Sequence, residues 1–177
     1  EQDVSHLWAQ TRRMDFHVCA GLTYSFYKNN ELLNVNPTKI EKEKVAGFSV
    51  GTDIRIGDTV CLNKYVAVIS SLNHPREELT LRACTMARTA KKKGWNQLFE
   101  EHVKVWEEKW LQSDVIIDSD IAAQQAIRYS IFQLNQTYNG NDARLNISPK
   151  GFTGEKYSGA TRWDTEAICI PFYLCTS

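Results

Sequence analysis

The feature that most constrains the fold is a change of hydrophobic period near Pro75. Before it, apolar residues on alternate positions predict β-strands, as at Phe16, Val18, Leu22, Tyr24 and Phe26. After it, apolar residues recur at helical spacing, beginning with Leu79, Ala83, Met86, Ala87 and Ala90. The pattern therefore predicts β structure up to residue 74, helices beyond it, and an α+β fold class.

Two further strands and a turn are predicted within the β region. The runs at residues 45–56 and 59–70 have strand character, and Ile56-Gly57-Asp58 between them predicts a hairpin turn. The charged run at residues 39–44 alternates in sign, which predicts the solvent-exposed face of a strand.

Three helices are predicted after Pro75, and a fourth follows a long loop. Lys91-Lys92-Lys93-Gly94 closes the first, because basic residues and a glycine favour a helix C-terminus. The third covers residues 120–138, with Asp118 or Ser119 as its N-cap and Asn139-Gly140 at its end. The second carries an apolar stripe, interpreted as core packing rather than a ligand site, at Trp95, Leu98, Phe99, Val103, Trp106 and Trp110.

Charge and cysteine usage bear on the class of protein. The 21 basic residues balance 21 acidic ones, so the charge gives no reason to expect nucleic acid or an anionic membrane as a partner. No apolar run is long enough to span a bilayer. The four histidines, His6, His17, His74 and His102, are scattered without metal-ligand spacing. Five cysteines without a CxxC pair favour buried free thiols in a reducing compartment, at Cys19, Cys61, Cys84, Cys169 and Cys175.

The most informative stretch for function is the loop at residues 141–162 and the helix that follows it. Loops of this length are usually functional or disordered. At its end stand Trp163 and Asp164, and an indole beside a carboxylate suits a pyranose, whose apolar face lies on the ring while its hydroxyls donate to the acid. The alternative is structural: Asp164 as the N-cap of the last helix, and Trp163 packed as a hydrophobic staple.

Residues 144–174, RLNISPKGFTGEKYSGATRWDTEAICIPFYL, closely resemble the maltose phosphorylases of glycoside hydrolase family 65, in which a WDTE motif follows a KGFTGEKY-type loop. In that family an N-terminal β-sandwich joins through linker helices to a barrel of six α-hairpins. The resemblance implies the C-terminal part of the β-sandwich domain in residues 1–74, the helical linker in 75–112 and the start of a truncated (α/α)6 catalytic barrel in 113–177. Family members are several times longer, so we expect an internal fragment.

The resemblance also implies roles for individual residues. Trp163 and Asp164 would hold the non-reducing glucosyl unit, and Glu155, Lys156 and Tyr157 would border the acceptor sugar. An ordinary surface loop remains the alternative for these last three. The general acid of the family is a glutamate beyond residue 177, so no catalytic residue is assigned within the chain. Arg162 departs from the family pattern, which commonly has an aromatic residue before the tryptophan.

The activity implied for the complete enzyme is inverting phosphorolysis of maltose to glucose and β-glucose 1-phosphate. Inorganic phosphate is the co-substrate, no metal or organic cofactor is implied, and the complete enzyme is expected to be a cytoplasmic homodimer. One alternative is a phosphorylase of another α-linked glucose disaccharide, such as trehalose, kojibiose or nigerose. The other is a non-catalytic module that binds carbohydrate or mediates association.

Overall fold

The computed structural model describes residues 4–145, 147, 163 and 165–176. Strands come first and helices after them, which confirms the α+β class and the predicted change at Pro75. The strands are β1 (Ser5–Gln10), β2 (His17–Lys28), β3 (Glu31–Leu32), β4 (Thr38–Lys42), β5 (Val45–Ser49) and β6 (Val60–Ser70). A 3₁₀ turn (Arg76–Glu78) leads into the helices α1 (Leu79–Ser113), α2 (Ile121–Thr137), α3 (Thr165–Ile168) and α4 (Ile170–Thr176).

The chain divides into two compact units, Glu1–Glu100 and Glu101–Ser177. The predicted domain boundaries at residues 74 and 112 stay predictions.

Strand β2 is the centre of the main sheet in the first unit. It pairs antiparallel with β1 and β3 on one side and with β6 on the other, where the register runs from Val18 opposite Ser70 to Lys28 opposite Val60. Strands β4 and β5 form a separate antiparallel hairpin. The exposed residues of β4 confirm the predicted solvent-facing charged strand, and Lys44 in the hairpin turn has a φ of 64°.

The predicted hairpin around Gly57 was wrong. Strand β5 ends at Ser49 rather than near residue 56, and its partner is β4, whereas β6 pairs with β2. A turn does exist at Gly57, whose φ is 93°. It connects strands of different sheets, because pairing between distant strands, and not the turn, selects the neighbours.

A network around Asp58 fixes this connection. The Asp58 carboxylate accepts hydrogen bonds from the Asn29 side-chain amide and the Arg55 backbone amide, at 2.9 and 2.8 Å. Its Oδ2 atom also lies 2.9 Å from the Lys28 ammonium. These hydrogen bonds, chiefly the one from Asn29, lower the pKa of Asp58 to about 2. The loop before β6 is therefore held to the end of β2.

The core of the first unit lies between β2, β6 and the first part of α1. Strand β2 buries the face with His17, Cys19, Thr23 and Ser25, while the predicted apolar positions of this strand are only half-buried. Gly21 explains this: a Cβ atom there would lie 2.6 Å from the carbonyl oxygen of Ala83. Small residues on this face let the helix backbone approach the strand. One resulting cluster contains Cys19, Ile69, Leu79 and Ala83.

Helix α1 is interrupted at Gly94, whose φ of 80° and ψ of 168° are not helical. This confirms the predicted end of a first helix and start of a second. Before the break, Leu79, Ala83 and Ala87 are buried, but Met86 is exposed, contrary to the predicted stripe.

The prediction of core packing was wrong for the first part of the tryptophan stripe. Trp95 and Phe99 are exposed and stack on each other, with ring centroids 5.8 Å apart. Because the backbone departs from helical geometry at Gly94, the stripe does not continue the buried face of the preceding segment. In the second unit, Trp106 is half-buried, and its ring centroid lies 5.0 Å from that of Phe132 in α2.

The prediction of buried thiols holds only in part. All five cysteines are free, and Cys19 is buried, which raises the pKa of its thiol. Cys61 and Cys175 are exposed. Cys61 lies near the start of β6, before the buried stretch that begins at Tyr65.

Candidate functional site

The candidate site is in the second unit, where α2 supports α3 and α4. The N-cap of α2 is Asp120, whose side chain accepts a hydrogen bond from the Ala123 amide at 2.9 Å. The predicted caps, Asp118 and Ser119, were wrong. Ser119 has a φ of 75°, whereas an N-cap residue needs the extended conformation that Asp120 adopts.

A second contact ties the segment before α2 to the helix. The Gln124 side chain accepts from the Ile117 amide at 2.6 Å and donates to the Val115 carbonyl at 2.8 Å. In addition, Arg128 donates two hydrogen bonds to Asp114, at 2.9 and 2.6 Å. The Arg128 hydrogen bonds lower the pKa of the Asp114 carboxyl. The start of α2 is thus fixed by four side-chain hydrogen bonds to the preceding segment.

The helices α3 and α4 are anchored to α2 by Tyr173. Its hydroxyl donates to the carbonyl of Leu134 at 2.7 Å, and its ring meets that of Tyr138 edge to face at 5.3 Å. Burial, followed by the neighbouring Cys169 and Tyr138, raises the pKa of Tyr173 to about 12. Tyr173 was not predicted as an anchor, although an aromatic residue in an apolar helix was an available signal in the sequence.

Trp163 lies immediately before this anchored pair of helices. Its side chain is 94% exposed, while Thr165 at the start of α3 is 8% exposed. The Thr165 carbonyl accepts from the Cys169 amide at 2.8 Å, which closes the first turn. This exposure exceeds that expected of a side chain packed as a hydrophobic staple. The sugar-binding role of Trp163 stays a prediction.

The other predicted site residues, Asp164, Glu155, Lys156 and Tyr157, lie outside the described residues, as does Arg162. Their roles stay predictions. Among residues that the structure describes, no group of three or more His, Cys, Asp or Glu side chains is arranged to hold a metal ion. In the same part of the chain, no helix combines the length and apolar character needed to cross a membrane.

Comparison with known proteins places both units in one family. Residues 1–109 match the model of the glycosyl hydrolase family 65 N-terminal domain, and residues 128–177 match that of the family 65 central catalytic domain. A solved structure of a candidate kojibiose phosphorylase from human microbiome superimposes with a TM-score of 0.82 and 26% identity. The match covers 100% of this chain and 23% of that one.

Curated relatives agree with this assignment. Maltose phosphorylase of Bacillus subtilis is 47% identical over 116 residues, 66% of this chain and 15% of that protein. Alpha,alpha-trehalose phosphorylase of Thermoanaerobacter brockii is 34% identical over 68% of this chain and 15% of its own length. The chain thus spans about 15% of the length of these relatives. It belongs to glycosyl hydrolase family 65.

Proposed function

We propose that this chain is part of a disaccharide phosphorylase that cleaves maltose with inorganic phosphate. The observation that carries the choice of maltose is the 47% identity to the Bacillus subtilis maltose phosphorylase. Over their matched regions, two trehalose phosphorylases are 34% and 40% identical, a nigerose phosphorylase is 32% identical and a kojibiose phosphorylase is 37% identical. These three disaccharides are the alternatives for the substrate.

The exposed indole of Trp163 supports a sugar-binding role for the start of α3. We propose that the apolar face of the glucosyl ring lies on this indole, and that Asp164 accepts hydrogen bonds from the sugar hydroxyls. Glu155, Lys156 and Tyr157 border the acceptor sugar in this proposal. Tyr173, by holding α4 to α2, keeps the helix behind Trp163 in place.

The proposed reaction is a single inverting displacement at the anomeric carbon. A phosphate oxygen forms the new bond to this carbon as the glycosidic bond breaks, and a general acid gives its proton to the departing oxygen of glucose. Inverting glycosidases need a second carboxylate as a base to activate water. Phosphate is already an anionic nucleophile, so this base is not required. The general acid belongs to a later part of the enzyme in this proposal.

The test compares the full-length protein with the isolated chain of 177 residues. Each is incubated with phosphate and maltose, trehalose, kojibiose or nigerose, and free glucose and β-glucose 1-phosphate are measured. We expect phosphate-dependent cleavage of maltose by the full-length protein and none by the isolated chain. Preference for another disaccharide would refute the substrate, and release from the isolated chain would refute the position of the general acid.

Asp164 is tested in the full-length protein by Asp164→Asn. Asparagine caps a helix about as well as aspartate, so thermal stability should change little. Hydrogen bonds to a charged partner are worth about 1.5–3 kcal/mol, so kcat/KM should fall roughly ten- to a hundredfold or more. Asp164→Ala is the matched variant, because loss of a cap alone costs about 1 kcal/mol of stability. Wild-type kcat/KM in the asparagine variant would leave Asp164 as a helix cap only.

A cytoplasmic location and a homodimer for the complete enzyme are part of the same proposal. Cell fractionation and light scattering of the full-length protein test them. The competing function, a non-catalytic module, predicts no phosphorolysis of any of the four disaccharides by the full-length protein.

A further inference from the structure

The first compact unit contains an open cleft of 940 Å³ that none of the proposed roles uses. Its walls come from the end of β2, the segment that follows β3, Phe48 of β5 and the first part of α1. All of these elements belong to the unit Glu1–Glu100, so the cleft is formed within one compact body. We refer to it as the basic cleft.

The charge of the basic cleft is of one sign. Lys39, Arg88, Lys91 and Lys92 line it, and no carboxylate is found among the described residues that do so. Positions 88, 91 and 92 are three and four residues apart on α1, a spacing that brings side chains to one face of a helix. Lys39, Lys91 and Lys92 alone place three positive charges around one cavity, and a cavity lined by charges of one sign favours a ligand of the opposite sign.

The remaining walls suit a hydroxylated ring. The rings of Tyr24 and Phe48 meet with their centroids 5.3 Å apart and an interplanar angle of 59°. Tyr27 also lines the cleft, as do the exposed amides of Asn34 and Asn36. Aromatic faces pack against the apolar face of a sugar, and amides both donate to and accept from its hydroxyls.

From these features we infer that the basic cleft binds a small anionic carbohydrate of the sugar-phosphate class. The cations recognise the phosphate, and the rings and amides recognise the sugar. The volume lies near the upper end of the range of about 300–1,000 Å³ that is usual for small-molecule pockets. The residues that line this cleft are separate in sequence from Trp163 and from the other residues of the proposed phosphorolysis site.

The test measures binding of glucose 6-phosphate to the full chain by calorimetry, in parallel with glucose and inorganic phosphate. The key variant is Lys91→Glu with Lys92→Glu. Its matched control is Lys64→Glu with Lys104→Glu, two exposed lysines that do not line the cleft, with the same change of net charge. We expect saturable binding to the wild-type chain, roughly tenfold or more weaker in the key variant and unchanged within about twofold in the control.

Several results would overturn the inference. Absence of saturable binding would exclude the site, and equal weakening in the control pair would mean non-specific attraction by net charge. If inorganic phosphate bound as tightly as glucose 6-phosphate, recognition of the sugar would be refuted. If glucose bound as tightly as glucose 6-phosphate, recognition of the phosphate would be refuted.

The lysines at positions 91 and 92 also precede the break at Gly94, where cations stabilise a helix C-terminus. Lys91→Gln with Lys92→Gln, together with thermal denaturation, tests this competing role. Unchanged binding with a lower Tm would assign the lysines to the helix alone and overturn the inference. Phosphorolysis by the full-length protein is measured separately, so failure of the proposed function would not be mistaken for failure of the cleft.

Discussion

Replacing Gly21 with alanine should destabilise the first compact unit. The added Cβ atom would lie 2.6 and 2.7 Å from the carbonyl oxygen and carbon of Ala83, and 3.0 Å from the amide nitrogen of Cys84. These are main-chain atoms of α1, so no side chain can rotate away to make room. Strand β2 and helix α1 must therefore move apart.

The expected loss of unfolding free energy in Gly21→Ala depends on the packing around this contact. Overpacking of a well-packed interior costs about 1–3 kcal/mol. Here the separation also loosens the cluster that contains Cys19, Leu79 and Ala83, all 0% exposed. We therefore expect a loss near the top of the range, about 3 kcal/mol of unfolding free energy. For a chain of this size that is a fall in Tm of about 6–12 °C.

Urea denaturation followed by circular dichroism measures the change, and Gly47→Ala is the matched control. Gly47 lies in β5, and a Cβ atom there would meet nothing within 4 Å. Alanine should be neutral or slightly stabilising at this position, because glycine in a strand is unfavourable by about 0.5–1 kcal/mol. If Gly21→Ala were within about 0.5 kcal/mol of the wild type, the close approach of strand and helix would be refuted.

Three further predictions test the local contacts. Asp120→Ala should cost about 1 kcal/mol of unfolding free energy, whereas Asp118→Ala should cost less than about 0.5 kcal/mol; urea denaturation of both decides which residue is the cap. Tyr173→Phe should cost about 1 kcal/mol through loss of the hydrogen bond to α2. The pKa of Tyr173 is raised from 10.0 to about 12, so its contribution to the stability of the fold is present below pH 10.0 and is lost as pH rises toward about 12. An alkaline melting series that is identical in the wild type and the variant would contradict this. Asp58, whose pKa is lowered from 3.8 to about 2, contributes stability above pH 3.8 that is lost as pH falls through about 2, so Asp58→Asn should flatten the acid side of the stability profile. An unaltered acid side would mean that the hydrogen bond from Asn29 is not formed in solution.

Features encoded by neighbouring residues were predictable from the sequence. The change of period at Pro75 and the break at Gly94 are both local, since each depends on the conformational preferences of a few adjacent residues. The turn at Gly57 was recognised for the same reason, but its neighbours were not. Contacts between distant parts of the chain decide which strands pair. The residues around the turn therefore do not predict the pairing of the strands on either side of it.

The buried face of β2 could not be read from hydrophobicity. Its half-buried side carries the large apolar residues, while the side against α1 carries Gly21, Thr23 and Ser25. Close approach of a helix requires small residues, and their hydropathy resembles that of a solvent-exposed face. The anchor at Tyr173 was missed for a similar reason, because its acceptor is a backbone carbonyl 39 residues earlier.

The pairing of β2 with β6 has a consequence for folding. The two strands are joined along eleven successive residue pairs, yet the β4–β5 hairpin lies between them in the sequence. During synthesis one edge of β2 therefore stays without its partner until residues 60–70 have emerged, and an open strand edge is prone to pair with other chains. Such non-local pairing also slows folding, because a long loop must close before the ladder forms. Pulsed hydrogen exchange should accordingly find the amides between β2 and β6 protected later than those of α2.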